Sequence, residues 1–304
     1  MSNLPSIGIQ TVLYRQGLPD VDRLVRSLGN AVRLTQRIGE IGSVSLIIGD
    51  CSPTATLTLE HVDDLRRRLI ASGINDIKYD YFGQNLGSAA GHNRLLDVND
   101  SKYVLFINPD AFASPFLLSE LLLPHHDSRV GIVEARQVPL EHPKTFDPHS
   151  GETSWASTAG CLVRREVIDA IGGFDATSFF LYCDDVDFSW RARLAGFRVL
   201  LQPGARLFHD KRLTSDGMMV IGDAEHYFAA EAALMLAWKY SRGDLVDQWL
   251  DALSRSDLPL QVEAAANFLR RRDDGSLPAQ LDPQGKVAEF HGINFARHRF
   301  EYGA

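Results

Sequence analysis

The stretch Tyr103-Val-Leu-Phe-Ile-Asn-Pro-Asp110 decides the fold. Five consecutive apolar residues read as a strand buried on both faces, and Asn108-Pro109 stops it, because proline has no ladder donor. The same device recurs upstream. Ile7 to Leu13 and Val44 to Ile48 are strands, the second ending at Gly49-Asp50, and Asp76 to Phe82 is a third. Between them lie helical patterns: Val21 to Ile38, with Leu24, Val25, Leu28 and Val32 on one face; Leu57 to Ala71, closed by Ser72-Gly73; and Ser88 to Val98. Strands alternating with helices predict an α/β fold of βαβ units, a Rossmann-like and mostly parallel central sheet flanked by helices. Ligands of such sheets bind at the carboxyl ends of the strands, which places Asp50, Asn85 and Asp110 along one rim.

After Pro124 the rhythm changes. Strands are expected at Val130–Val138, Gly160–Val163 and Phe197–Leu201, and helices at Arg165–Ile171 and Asp184–Leu194, with a Pro/His-rich loop over 139–151. From Asp223 the pattern is helical, over Ala224–Tyr240, Leu245–Leu253 and Val262–Arg271, and the last thirty residues read as an irregular tail wrapping the body. The expected organisation is a domain over 1–222, with halves at about 1–110 and 111–222, and a C-terminal helical extension and tail over 223–304.

The chain has 304 residues, 45% hydrophobic and 23% charged, as in a globular protein with a sizeable core. Its formal charge of −8 argues against nucleic-acid binding, which needs a cationic face. No apolar run approaches the roughly 18 residues of a membrane span, and Met1-Ser-Asn-Leu-Pro5 lacks the features of a secretory signal. Three scattered cysteines form no disulfide framework. A cytoplasmic enzyme is the expectation.

Four clusters carry candidate chemistry. In Ile47-Ile-Gly-Asp-Cys-Ser52, Asp50 and Ser52 lie where a strand opens into a loop, able to meet a base or ribose or to cap the turn. In Gln84-Asn-Leu-Gly-Ser-Ala-Ala-Gly-His-Asn-Arg94, Gly87 and Gly91 let backbone approach a phosphate at a helix start, or let helix and sheet pack closely. Asn108-Pro-Asp110 offers an oxygen ligand for a hard cation, or an Asx turn. The richest cluster is Gly172-Gly-Phe-Asp175, Phe179-Phe-Leu-Tyr-Cys-Asp-Asp-Val-Asp187, Arg191 and Phe208-His209. Asp184 and Asp185 follow an apolar stretch, where a carboxylate becomes a better general base, whereas Asp187 and Arg191, four apart, pair structurally.

In this order the motifs resemble those of family 2 glycosyltransferases, most closely the rhamnosyltransferase-like branch of bacterial surface polysaccharide synthesis, over about residues 5–240. The resemblance implies a GT-A fold, a nucleoside-diphosphate-sugar donor (dTDP- or UDP-linked, with rhamnose leading and a UDP-linked hexose or galactofuranose next), a divalent cation (Mg2+ or Mn2+), inversion, and a glycan or lipid-linked acceptor. Carried over by position, Asp50 meets the base or ribose. Ser52, Asn85, Gly87, Gly91, Asn93, Asn108 and Trp155 line the nucleotide and substrate region. Asp110 and His209 hold the metal, and Asp185, beside Asp184, is the base. Three positions depart from the family pattern: Asn108 for the first acid of D-x-D, Asp184 for a glutamate, and Gly49-Asp50-Cys51 for Val-Asp-Asn.

Other classes lack their signatures. The turn after Ile9 carries neither the basic Gly-rich loop of a nucleotidylyltransferase nor G-x-G-x-x-G, and G-x-S-x-G and H-E-x-x-H are absent. The non-enzymatic alternative is a catalytically inactive GT-A module that binds nucleotide or assembles partners. Arg270-Arg-Arg272 reads as a solvated helix end or as a peripheral anchor at the inner face of the plasma membrane. The Ala224–Tyr240 helix, apolar nearly all round, is suited to burial against the domain or to a homodimer interface.

Overall fold

The computed structural model describes residues 4–141, 143–210, 214–215 and 222–297. The parts of the expected domain and tail at 1–3, 142, 211–213, 216–221 and 298–304 lie outside the described residues. Eight strands form one mixed sheet: β1 (Ile7–Leu13), β2 (Val44–Asp50), β3 (Asp76–Tyr81), β4 (Tyr103–Ile107), β5 (Ala111–Ala113), β6 (Val130–Val138), β7 (Gly160–Arg164) and β8 (Arg198–His209), in the order β3-β2-β1-β4-β7-β6-β8-β5. β1 pairs in parallel with β2 and β4, β2 with β3, and β6 with β8, while β7 runs antiparallel between β4 and β6. Every residue of β4 is buried, as its unbroken apolar run requires.

α1 (Leu18–Arg37) and β8 are among the elements that extend beyond the sequence expectation. α1 starts three residues before the periodic pattern, because Pro19 suits a first turn and the Asp20 carboxylate accepts from the Gly17 amide at 3.3 Å. β8 does not stop at Leu201. Pro203-Gly204 is absorbed by a bulge, since Ala135 pairs with Gln202 and the next residue, Arg136, with Arg206, so the strand continues to His209. Ala111 then pairs with His209 in the short strand β5, which the sequence reading passed over together with α4 (Leu117–Leu122).

α2 (Leu59–Ile70) and α3 (Gly87–Leu96) complete the first βαβ units. α1, α2 and α4 bury their apolar faces in one core, with Leu24, Leu28, Leu65 and Leu117 against the sheet. α5 (Arg165–Ile171) and α6 (Asp184–Leu194) contribute Val167, Ile168, Phe188 and Ala192 to a second core with Phe106 and Phe174. The C-terminal helices α7 (Asp223–Lys239), α8 (Gly243–Ser254) and α9 (Pro259–Asp273) share a third core with Trp155, Phe179, Val186 and Trp190. The irregular segment after α9 closes over it, with Val287 and Ala296 buried. No described helix is long and apolar enough to cross a membrane. All three cysteines are free and buried.

Candidate active site

The bulged β8 delivers His209 to the carboxyl end of β4. Its Nδ1 lies 2.8 Å from Gln137 Oε1 on β6, an acceptor, so a proton on Nδ1 donates there. Nε2, on the other side of the ring, lies 3.2 Å from Asn108 Nδ2 and 3.3 Å from Asp110 Oδ1. One carboxylate oxygen and one imidazole nitrogen thus converge at the end of the Tyr103–Ile107 strand. Among the described residues no three His, Cys, Asp or Glu side chains group as a metal cage. A cation bound at Asp110 and His209 would draw its other ligands from substrate and water, as hard cations on phosphates do.

The second part of the site is the start of α6. Tyr182 and Cys183 both adopt left-handed backbone conformations, with φ of 66° and 54°, which side chains other than glycine rarely take. This sharp turn sets Asp184 and Asp185 at the head of the helix, where free amides favour carboxylates. The pair is divided by its surroundings. Asp184 is buried, with Oδ2 lacking a hydrogen-bond partner, and burial followed by repulsion from Asp185 pushes it up to about 7. Asp185 is raised by burial too, but the Lys144 ammonium and the amides of Val186 (2.9 Å) and Thr158 oppose this. Asp184 therefore takes the first proton, and Asp185 is the member held as a carboxylate.

Both clusters open on one cavity of about 580 Å³, lined by Ser88, Asn108, Gln137, Trp155, Asp184, Asp185 and His209. Glu134 and Lys144 are among its residues that escaped the sequence reading. They form a buried ion pair, with the Lys144 ammonium 3.6 Å above the Trp155 ring and donating to the Trp155 carbonyl at 3.1 Å. The available signal was Glu134 itself, a lone acid in the otherwise buried run Val130–Ala135. The C-terminal extension supplies a large share of the remaining lining, including Ala233, Trp249, Leu253, Phe290 and Phe295.

A buried charge network ties that extension to the catalytic helix. Asp187, with no exposed surface, pairs with Arg191 at 2.7 Å as the sequence spacing predicts, and also with Lys239 of α7 at 2.6 Å. Lys239 reaches Asp175 at 2.7 Å, and the Tyr240 hydroxyl lies 3.2 Å from Asp187 Oδ1. Asp175 of the Gly-Gly-Phe-Asp motif is thus an anchor for the extension.

The remaining candidates lie outside this cavity, and most are engaged by the protein itself. The Asp50 carboxylate is fully buried. It accepts from the amides of Ser52 (2.8 Å) and Thr56 (2.7 Å) and from the Tyr79 hydroxyl (2.6 Å), and although burial raises it these bonds hold it below the usual range. Ser52 Oγ accepts from the Arg15 amide at 2.8 Å. Asp50 and Ser52 thus shape the loop between the ends of β1 and β2. Asn85 accepts from the Gly87 amide at 3.1 Å. Gly87, at φ 72°, is required because a Cβ there would stand 2.2 Å from the Phe180 carbonyl oxygen. Gly91 abuts Val12, where a Cβ would come within 3.0 Å, so helix–sheet packing accounts for it rather than a phosphate. Asn93, expected in the substrate region, is engaged by the protein's own backbone. Its side-chain amide is spent on both backbone groups of Phe174, at 2.8 Å each, which clamps the Gly-Gly-Phe-Asp turn.

Residues 140–241, which carry Lys144, Trp155, both carboxylates, His209 and Lys239, match the family described as glycosyltransferase-like family 2. The pre-mycofactocin glycosyltransferase of Mycobacterium tuberculosis is 30% identical, covering 45% of this chain and 33% of that protein. The N-acetylglucosaminyl-diphospho-decaprenol L-rhamnosyltransferase of the same organism is 35% identical over a shorter stretch, 22% of this chain and 21% of the relative. The chain thus spans about a third of the first relative's length or less. Among solved structures, the mannosyltransferase PcManGT from Pyrobaculum calidifontis, in complex with GDP-Man and Mn2+, superimposes with a TM-score of 0.56 at 14% identity, covering 94% of this chain and 79% of that one. GalNAc-T7 with UDP, GalNAc and Mn2+ superimposes at 0.60 with 11% identity, covering 95% and 57%.

Proposed function

We propose that this chain, whose residues 140–241 match the glycosyltransferase-like family 2 and whose fold is that of GT-A structures, is a family 2 glycosyltransferase that transfers a sugar, with inversion, from a nucleoside-diphosphate donor to an acceptor hydroxyl. The observation that carries this reading is the convergence of Asp185 and the Asn108–Asp110–His209 cluster on one cavity. A base and a site for developing diphosphate charge are the two things a single displacement needs.

In the proposed step Asp185 takes the proton of the acceptor hydroxyl as that oxygen bonds to the anomeric carbon. The bond from that carbon to the diphosphate oxygen breaks, and the nucleoside diphosphate leaves with the electron pair. Asp184 stays protonated and hydrogen-bonds rather than repelling the incoming oxygen. Asp110 and the unprotonated Nε2 of His209 fit Mg2+ or Mn2+, with Gln137 fixing the tautomer as an outer partner does at metal sites. Such a cation, when bound, supplies positive charge to the leaving diphosphate. The nucleoside lies over the Arg15–Leu18 and Ser52–Thr56 cleft, whose walls Asp50 and Ser52 organise. A dTDP- or UDP-linked donor, with rhamnose first, and a glycan or lipid-linked acceptor remain the proposed substrates; a relative named as a rhamnosyltransferase acting on a decaprenol-linked sugar supports that choice.

Asp185→Asn tests the assignment. Transfer from the accepted donor falls about 10²- to 10⁴-fold in kcat, the usual worth of a general base, while calorimetric affinity for UDP, dTDP or GDP with manganese stays within threefold. A fully active Asp185→Asn enzyme removes Asp185 from the mechanism.

A further inference from the structure

We propose that the part of the cavity walled by the C-terminal extension is an acceptor subsite for an apolar aglycone, so that the hydroxyl glycosylated here is carried beside an aryl or alkyl group. This rests on the transferase reading and specifies its acceptor. The cavity has two chemically different sets of lining residues. One is Asp184, Asp185, Asn108 and His209; the other is Trp249, Leu253, Phe290, Ile293 and Phe295, all supplied by residues after Lys239.

The aromatic side chains are only partly buried within their own core. The surface they leave open faces the same cavity as the carboxylates. The indole N–H of Trp249 is spent on the Ile293 carbonyl at 2.9 Å, so Trp249 offers a ligand carbon surface alone. The extension's polar residues on the cavity are Glu225, His226, Gln261 and Asn294, and Gln261 has its Oε1 occupied by the Ser256 hydroxyl at 2.6 Å. The Trp249, Leu253, Phe290, Ile293 and Phe295 surface itself offers a sugar hydroxyl no side-chain hydrogen-bond partner, and a hydroxyl buried unpaired against it costs free energy. An apolar group meets a matched surface, and the volume of about 580 Å³ lies in the range that accommodates small-molecule ligands.

The experiment uses the full chain and titrates methyl, phenyl and octyl β-D-glucoside, the last below its micellar concentration, following tryptophan fluorescence. A parallel titration adds UDP, dTDP and GDP with manganese. The phenyl or octyl glucoside is expected to bind at least tenfold more tightly than the methyl glucoside, a modest expectation for moving a ring or chain out of water. Preference for octyl over phenyl assigns an alkyl chain, and the reverse assigns an aryl group. Ala233→Phe projects a ring from α7 into the cavity and brings the three glucosides within threefold of one another, with nucleotide affinity unchanged. Trp249→Ala has the same effect, but Ala233→Phe deletes no packing and so reads the subsite where Trp249→Ala loosens the fold. Three glucosides bound alike by the parent, or a preference that survives Ala233→Phe, overturns the subsite. Loss of nucleotide binding with the aglycone preference intact overturns the transferase reading and leaves the subsite standing.

Discussion

Replacing Lys239 by methionine tests whether the extension is part of the catalytic body. The Lys239 ammonium lies 2.7 Å from Asp175 and 2.6 Å from Asp187, and its side chain is 5% exposed. With Arg191, two cations balance two carboxylates in the interior. Lys239→Met leaves two carboxylates against one guanidinium. Breaking a buried pair in this way costs about 3–5 kcal/mol. The lower end applies here, because Asp187 keeps Arg191 at 2.7 Å and Tyr240, and Asp175 keeps the Thr177 hydroxyl at 2.6 Å. A loss of about 3 kcal/mol, at a urea dependence of about 3 kcal/mol per molar, lowers the unfolding midpoint by roughly 1 M. The assay is urea denaturation followed by circular dichroism and by tryptophan fluorescence, since Trp190 and Trp238 flank the network. Adding Asp175→Asn restores charge balance, and the double variant is expected to regain at least half of the loss. A Lys239→Met midpoint within about 0.2 M of the parent, or a double variant no better than the single, refutes the reasoning.

Asp184, held near 7 by burial and by Asp185, opposes folding increasingly as pH rises from about 4 to about 7, because its proton is retained more firmly in the folded state. Asp184→Asn is therefore expected to exceed the parent in stability at pH 8, by at most about 4 kcal/mol for a shift of about three pH units; the advantage fades toward pH 4, and an advantage independent of pH would argue against a buried, protonated Asp184. Gly87→Ala and Gly172→Ala share a left-handed backbone, but only the first drives a Cβ into backbone, the Phe180 carbonyl, so its Tm should fall further than the roughly 1 kcal/mol equivalent expected for Gly172→Ala. Asp110→Asn and His209→Ala should each reduce the manganese enhancement of nucleotide affinity at least tenfold while leaving metal-free affinity unchanged, by calorimetry; equal enhancement in both variants would place the cation elsewhere.

Much of the architecture was legible where local and tertiary demands agree. β1, β4 and β6 begin and end at the residues expected, because each is rich in buried β-branched and apolar residues, without a break in β4. The error at β8 shows the limit: Pro203-Gly204 is a stop by local rules, yet the partner strand tolerates a bulge there, and only the paired strand reveals it. Asp184, Asp185, Asn108, Asp110 and His209 drew notice in the sequence because they stand at strand and helix ends, and the structure gathers them at or beside one cavity. Asn93 shows how an amide beside glycines reads alike in sequence whether it meets a phosphate or clamps the Phe174 backbone, as its side chain does here. Lys144 and the aromatic wall were invisible for a different reason. Nothing near Lys144 in sequence announces Glu134 and Trp155 as its partners, and the far wall of the cavity arrives from residues a hundred positions downstream.

The tie between Asp187 and Lys239 also has a consequence in time. As the chain leaves the ribosome, all the strands of the sheet have been made by His209, while the cation that holds Asp187 and the aromatic wall of the cavity have yet to be synthesised. Until Lys239 emerges, α6 carries a buried-type carboxylate with one of its two cations missing, next to Asp184 and Asp185. The cavity cannot gain its aromatic lining until the extension has been translated, which sets a delay between making the sheet and completing the cavity.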